Sequence, residues 1–337
     1  MSVADARRQG LTGAQWRDTD LIRVTRGVKS TDEPETLADR CTAFALALPD
    51  DVVFSHLTAA LLWGLPLPRW AKDVLDLDVM RTSSHPPVER RGCRGHRGLE
   101  GRSTRTVAGI RVTSLIDTWI DLAEISQPRA LTVDDLTVVA DEILMRLAQS
   151  VDVLPGEEEW QAVARHDQDR EFDPRPDRRD RLQAALAIRV RPRGARRLRA
   201  ALDQARVGSR SPMETRTRLL LVRRGFPEPG LNVTITGPEG RLLEGDLVWR
   251  ERRVIGEYQG EHHGGRRQRS VDVARRNLAE DDGWTVVEIW AEDLYATTRR
   301  RRLLLRLADK LGLDRSDLDA RPRAGKALRT QVCRPLW

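Results

Sequence analysis

Residues 245–263 read GDLVWRERRVIGEYQGEHH. Two runs rich in apolar and β-branched residues flank a polar turn, RERR, so the stretch predicts a β-hairpin. With the turn centred between Glu251 and Arg252, opposed residues sum to 503. Asp246 then faces Glu257, and Val248 faces Ile255. Directly opposed residues share a face, and Gln259, two along from Glu257, joins it. Two opposed carboxylates repel, and such a pair persists where a cation sits between them. Hard oxygen ligands with open water positions suit Mg²⁺ or Mn²⁺. A divalent ion there would polarise a phosphoryl oxygen and lower the pKa of a bound water. The plain alternative is a polar edge hairpin facing solvent. The turn is not of the Asn-Gly type, so a one-residue slip in register stays open.

The elements around the hairpin form one series. SPMETRTRLLLVRRG starts a helix at Ser211, has Pro212 at the first helical position and ends at Gly225. LNVTIT (231–236) and RLLEGDLVWR (241–250) are strands joined by GPEG, and RRVIGEYQG (252–260) is the next strand. RSVDVARRNLAEDDG (269–283) is a helix, WTVVEIW (284–290) a strand, and TTRRRRLLLRLADKLG a closing basic amphipathic helix. The order is α-β-β-β-α-β followed by a helix. Ser211-x-x-Glu214 is a capping-box pattern, so Glu214 is expected to bond back to the Ser211 amide. A first-turn residue can also lie near strand ends, so a role in the site stays open.

The first half has a different texture. After a short polar helix, LIRVTRGV alternates like a strand. SHLTAALLWGLPLP (55–68) predicts a helix capped by Ser55 and stopped by Gly64 and Pro66. VLDLDVM (74–80) and GIRVTS (109–114) read as strands, and Ser114 caps a helix with Leu115, Trp119 and Leu122 on one face. A third helix starts at Thr132. His56, His85 and His96 are isolated, and nothing in this half sets a nucleophile beside a base. Residues 151–180 turn acidic, then Pro- and Arg-rich, and read as a linker with a short helix. GARRLRAALDQAR (194–206) is a basic helix.

Composition narrows the class. The chain has 337 residues, 39% hydrophobic and 32% charged, which suits two globular domains rather than a disordered chain. No apolar run approaches the roughly 20 residues of a membrane span. The N-terminus has no apolar stretch of signal-peptide type, and Cys41, Cys93 and Cys333 make neither a zinc spacing nor a disulfide framework. A cytoplasmic protein is expected. The net charge is +7. Residues 1–150 carry −2 and residues 151–337 carry +9, with 12 Arg and 3 Asp between 175 and 210. Arg outnumbers Lys 54 to 4, which a GC-rich coding sequence also produces, so the clustering and not the total points to a phosphate backbone.

SPMETRTRLLLVRRGFPEP, GDLVW, VIGEYQGEHH, DVARRNLAEDDGWTVVEI and AEDLY together resemble actinobacterial proteins whose C-terminal domain is related to the very-short-patch-repair endonucleases, of the PD-(D/E)XK, restriction-endonuclease-like superfamily. The resemblance covers about residues 211–298. LIRVTRGV, SHLTAALLWGLPLP and GIRVTSLIDTWIDLA resemble the AbiEi-type regulator region of type IV toxin–antitoxin systems, with its winged helix shortened to about 30 residues. The resemblance implies an α/β (α+β) fold: a regulator-type region over 1–150, a linker and basic helix over 151–210, an endonuclease-like domain over 211–312, and a tail over 313–337. It implies that Asp246 and Glu257 bind metal and that Glu214 supports them. The pattern's lysine falls at Gln259, which orients water but carries no charge. His263 matches a histidine that acts as acid or base or contacts phosphate, and Asp272 and Arg276 on the next helix complete the site.

The expected function is Mg²⁺- or Mn²⁺-dependent DNA phosphodiester hydrolysis, with Arg196, Arg197, Arg199, Arg275 and Arg276 on the DNA. The competing class is a non-catalytic DNA-binding regulator or antitoxin-like protein. The discriminating feature is whether a Lys or Arg reaches the site from elsewhere to replace the cation missing at Gln259. A third reading is an interaction module in which the N-terminal half binds a partner protein.

Overall fold

A computed structural model describes residues 1–17, 20–126, 128–149, 177–189, 192–237, 240–260 and 276–314. The chain forms two compact units of α/β type. One holds Met1–Thr132 with Arg179–Arg199, and the other holds Val133–Ala148 with the chain from Ala200 onward. The helix expected to close the first region, here Val133–Gln149, therefore packs with the second unit. A border at 150 does not describe the packing.

The first unit opens with two short helices, α1 (Val3–Arg8) and α2 (Gly13–Arg17). The LIRVTRGV run is not one strand. Gly27, at φ +83°, turns it into a hairpin of β1 (Ile22–Thr25) and β2 (Val28–Ser30). Helix α3 (Leu37–Ala45) starts on a reciprocal Thr36/Asp39 capping box. Then follow β3 (Val53–Phe54), α4 (His56–Leu62), β4 (Leu77–Arg81), β5 (Cys93–Arg97), β6 (Thr104–Val107), β7 (Ile110–Thr113) and α5 (Leu115–Leu122). The sheet order is β5-β4-β3-β7-β6. Cys41, Phe44, Phe54, Ala59, Leu77, Val79 and Val112 pack as its core. Ser114 caps α5 by accepting the Asp117 amide, and Leu115, Trp119 and Leu122 are buried as their spacing requires. Ser55 is the N-cap of α4, and its carbonyl accepts the Ala59 amide, but its side chain makes no cap bond to the helix. Helix α6 is Val133–Gln149, α7 is Asp177–Ile188 and α8 is Ala195–Gln204.

The second unit continues with α9 (Pro212–Arg223), β8 (Gly230–Gly237), β9 (Gly240–Trp249), β10 (Val254–Gln259), a helical stretch at 276–281 (α10), β11 (Thr285–Trp290), α11 (Ala291–Tyr295) and α12 (Thr297–Leu311). The sheet runs β11-β10-β9-β8, with β8, β9 and β10 antiparallel and β11 parallel to β10. Alternate residues feed two cores. Leu247, Trp249, Val254, Val287 and Ile289 pack with Leu221 of α9 and with Leu303, Leu304, Leu307 and Leu311 of α12. Val248, Ile255, Ile235 and Leu243 pack with Ala279 of α10. A mixed sheet covered on both faces is the consequence.

Helix α6 joins this unit by charge as well as packing. Asp134 pairs with Arg223, Asp135 with Arg216, and Asp141 with Arg218, the last at 3.1 Å with both side chains 1% exposed. Thr215 Oγ1 and the Arg206 amide also donate to Asp141. Removing one partner of a buried, hydrogen-bonded pair leaves the other charge uncompensated. Asp141→Ala is therefore expected to cost about 3–5 kcal/mol of unfolding free energy. A urea titration showing a loss below about 1 kcal/mol, the range of exposed pairs, would refute this role.

Candidate functional site

The β9–β10 register is the one that the hairpin turn requires. Trp249 pairs with Val254, Val248 with Ile255 and Leu247 with Gly256. The next step along is Asp246 and Glu257, and there the backbone ladder stops. The Asp246 carboxylate takes over, accepting the Tyr258 amide through Oδ2 at 2.8 Å. Asp246 is thus held between the strands at the end of their pairing.

Strand β8 shares this break. Leu231 pairs with Leu247 and Val233 with Gly245, which sets Asn232 beside Asp246. Asn232 is left-handed, at φ +46°. Leu231 accordingly packs into one core and Val233 into the other, although residues two apart in a regular strand share a face. Gly245 answers the same distortion. A Cβ there would come within 2.7 Å of Ile255 and Val248 side-chain carbons, on the face opposite Leu247.

Glu214 approaches from the first turn of α9 and is 7% exposed. The Ser211 hydroxyl accepts the Glu214 amide as expected. The return bond differs: Glu214 Oε2 accepts the Arg210 amide at 2.9 Å, not that of Ser211, and also Asn232 Nδ2 at 2.7 Å. Asn232 further donates to the Gly208 carbonyl at 2.7 Å. The capping box is displaced by one residue, and its carboxylate is tied to β8.

Three carboxylates act on Asp246. Burial is the largest influence and pushes its carboxyl up to about 7, with Glu214 next; the Tyr258 amide opposes them, and Glu257 and Glu244 add to the rise. Glu257 itself is held by Arg276 of α10 at 2.9 Å, and Arg276 also bonds Glu288, the residue paired with Glu257 on β11. Gln259 Nε2 lies 3.5 Å from Glu257 Oε2. Arg276, expected both to complete the site and to contact DNA, reaches these two carboxylates. Arg197, expected on DNA too, donates to the Leu131 and Ala123 carbonyls at 2.6 Å and so fixes the end of α5. Arg196 and Arg199 are exposed. His263, Asp272 and Arg275 lie outside the described residues.

Sequence reasoning missed Asn232. The signal was an asparagine inside a predicted strand, a residue type that tolerates left-handed backbone. It also missed the Arg210 amide, which no spacing rule marks. Among the described residues, no three His, Cys, Asp or Glu side chains form a group that could hold a metal, and no helix is long and apolar enough to cross a membrane.

The raised carboxyl of Asp246 gives a signed expectation. A folded-state pKa above the unfolded value means that the native state binds the extra proton. The penalty is absent below about pH 4, grows as pH rises towards about 7, and is constant above. In metal-free buffer, Asp246→Asn should stabilise the protein at pH 8 by on the order of 2 kcal/mol and change nothing at pH 4. Equal midpoints for both proteins at pH 8 would contradict this electrostatic picture.

The chain is similar to proteins from two strains of Mycobacterium tuberculosis, CDC 1551 and H37Rv, both named only as uncharacterised. Each is 28% identical over 283 residues, covering 83% of this chain and 89% of the relative. No family profile matches the chain. No solved structure matches it either.

Proposed function

We propose that the second unit is a DNA endonuclease of the PD-(D/E)XK type that hydrolyses phosphodiester bonds with Mg²⁺ or Mn²⁺. One observation carries the reading. In a chain of 54 arginines, buried Asp121 and Asp141 are both paired with arginine, whereas Asp246, half-buried beside other carboxylates, bonds only the Tyr258 amide among the described residues. Such a carboxylate, with its pKa pushed up to about 7, is only partly ionised at neutral pH, and a cation beside it would favour the ionised form. The donor set fits Mg²⁺, which needs one or two carboxylates and keeps several waters. Asp246 and Glu257 would hold it, with Glu214 behind them. The ion would supply Lewis acidity towards a phosphoryl oxygen and its bound water.

The chain's own residues supply the rest. Gln259 orients water without charge. Arg276 brings from α10 a cation to the place where the family pattern has lysine, and negative charge develops there in the transition state. Arg301 and Arg302, exposed on α12, and Arg196 and Arg199 on α8 are the candidates for sequence-independent phosphate contacts. Free Cys41 and Cys93 fit a cytoplasmic setting.

The second reading, a non-catalytic DNA-binding regulator, is favoured by the Arg276–Glu257 ion pair itself, since it occupies one of the two metal carboxylates. Duplex, mismatched and single-stranded DNA incubated with Mg²⁺ or Mn²⁺ separate the two. On the nuclease reading, EDTA stops cleavage, Asp246→Asn abolishes it without loss of DNA affinity, and Gln259→Lys raises or preserves it. Arg276→Ala should lower the rate by about 10²–10³-fold, the usual cost of losing one transition-state donor. An absence of cleavage on every substrate, with melting unmoved by Mn²⁺, would leave the regulator. In either case DNA affinity should fall steeply with salt.

A further inference from the structure

A buried polar cluster in the first unit has no part in the nuclease reading. Strand β5 is the edge of the five-stranded sheet and runs parallel to β4, with Asp78 level with Arg94 and Met80 level with His96. Asp78 is 1% exposed. Its Oδ1 lies 2.9 Å from His96 Nε2 and 3.6 Å from an Arg94 guanidinium nitrogen, while Oδ2 is buried with no hydrogen-bond partner among the described residues. The Asp78 backbone is pinned on both sides: its amide donates to Thr58 Oγ1 at 2.8 Å, and its carbonyl accepts the Ser55 amide at 3.0 Å.

His56 completes the cluster from the β3–α4 junction. Its ring stacks on that of His96, with centroids 3.7 Å apart and planes 19° from parallel, and its Nδ1 lies 3.0 Å from Ser55 Oγ. The His56 backbone is left-handed, at φ +48°. Glycine would take that conformation at less cost, so the turn alone does not require a side chain there. What the imidazole adds is a flat surface that fixes the plane of the His96 ring. Stacked rings direct their lone pairs along parallel planes, so the pair does not converge on one metal ion.

His96 is consequently held on one edge by a carboxylate and on one face by a ring. Its other nitrogen, Nδ1, has no partner among the described residues. The His96 side chain is 22% exposed and that of Arg94 40%. With Nε2–H committed to Asp78, the neutral ring has a lone pair at Nδ1, and the protonated ring has a donor there. The charged and titratable groups around it are Asp78, Arg94 and His56. Arg102 and Arg189, which also act on His56, are tied to Asp121, Glu124 and Asp117. Burial, then His96, holds His56 well below the ordinary histidine range, so His56 stays neutral. Arg94 brings a fixed positive charge to the sheet edge, facing the Asp78 carboxylate.

We propose that Asp78, His96 and Arg94 form a second ligand site that takes a phosphate group, with His96 Nδ1–H and the Arg94 guanidinium as donors and Asp78 as the buried anchor of both. Guanidinium and imidazolium donors match phosphate oxygens in charge and geometry. The phosphate could be free or the 5′-phosphate of a nucleotide. Histidine Cε1–H NMR resonances of the full chain, titrated with inorganic phosphate and separately with adenosine 5′-monophosphate, test this. Phosphate is expected to shift the His96 resonance and to bind more tightly at about pH 6 than at about pH 8, because an imidazole gains a second donor when protonated. Arg94→Gln and His96→Gln should each weaken binding by about tenfold or more, with the melting midpoint as a check on folding. Tighter binding of the nucleotide would support a nucleotide ligand, and equal affinities free phosphate. The wild-type titration stands without the variants: if neither ligand moves the His96 resonance, the site is overturned. An affinity indifferent to Arg94→Gln overturns it equally.

Discussion

Where two antiparallel strands part, the next amide loses its carbonyl partner, and something has to accept it. In the second unit that acceptor is the side chain of Asp246. The substitution of a carboxylate for a backbone carbonyl fixes the rest of the site. It brings a charge between the strands, beside Glu257 on one neighbour and Asn232 on the other. The left-handed Asn232 then sends Leu231 and Val233 to opposite cores and frees its amide to hold Glu214. Gly245 is small because the same distortion turns its Cβ position onto Ile255 and Val248.

Arginine does two kinds of work in this chain. Arg218, Arg102 and Arg197 are turned inwards, to carboxylates and helix-end carbonyls, and their contribution is to satisfy buried acceptors. Arg196, Arg199, Arg301 and Arg302 are exposed. Sequence position does not separate the two kinds. Arg196 and Arg197 are adjacent, yet one is exposed and the other bonds backbone carbonyls. A charge cluster read from composition therefore overstates the cationic surface wherever a helix carries arginine on its inner face.

Much of the second unit was legible because its signals are local. Ser211 and Pro212 start α9, the VIGEY and TVVEI runs are strands, and Gly312 ends α12 in a left-handed conformation. The hairpin register is the one that a turn centred between Glu251 and Arg252 gives, where the sequence also left a one-residue slip open. The break at Asp246 did not, because alternation is a rule for regular strands and Asn232 leaves the regular region. In the first unit, β5 (CRGHR) has no apolar alternation to mark it; it pairs with β4, and His96 and Arg94 meet Asp78 there, residues distant in sequence. Helix α6 was recognised as a helix but assigned to the wrong neighbours, since its acidic residues reveal their partners only through Arg216, Arg218 and Arg223.

The placement of α6 also bears on inheritance. Residues 133–148 belong to the second unit, residues 179–199 to the first, and the chain from Ala200 to the second again. The two are interleaved along the gene. A single recombination event anywhere between them cannot transfer the later unit whole: a cut after α6 strips the carboxylates that neutralise Arg216, Arg218 and Arg223, and a cut before it carries part of the earlier unit along. Moving the later unit whole into another chain would take two cuts before Ala200 rather than one, with residues 179–199 left out between the transferred pieces.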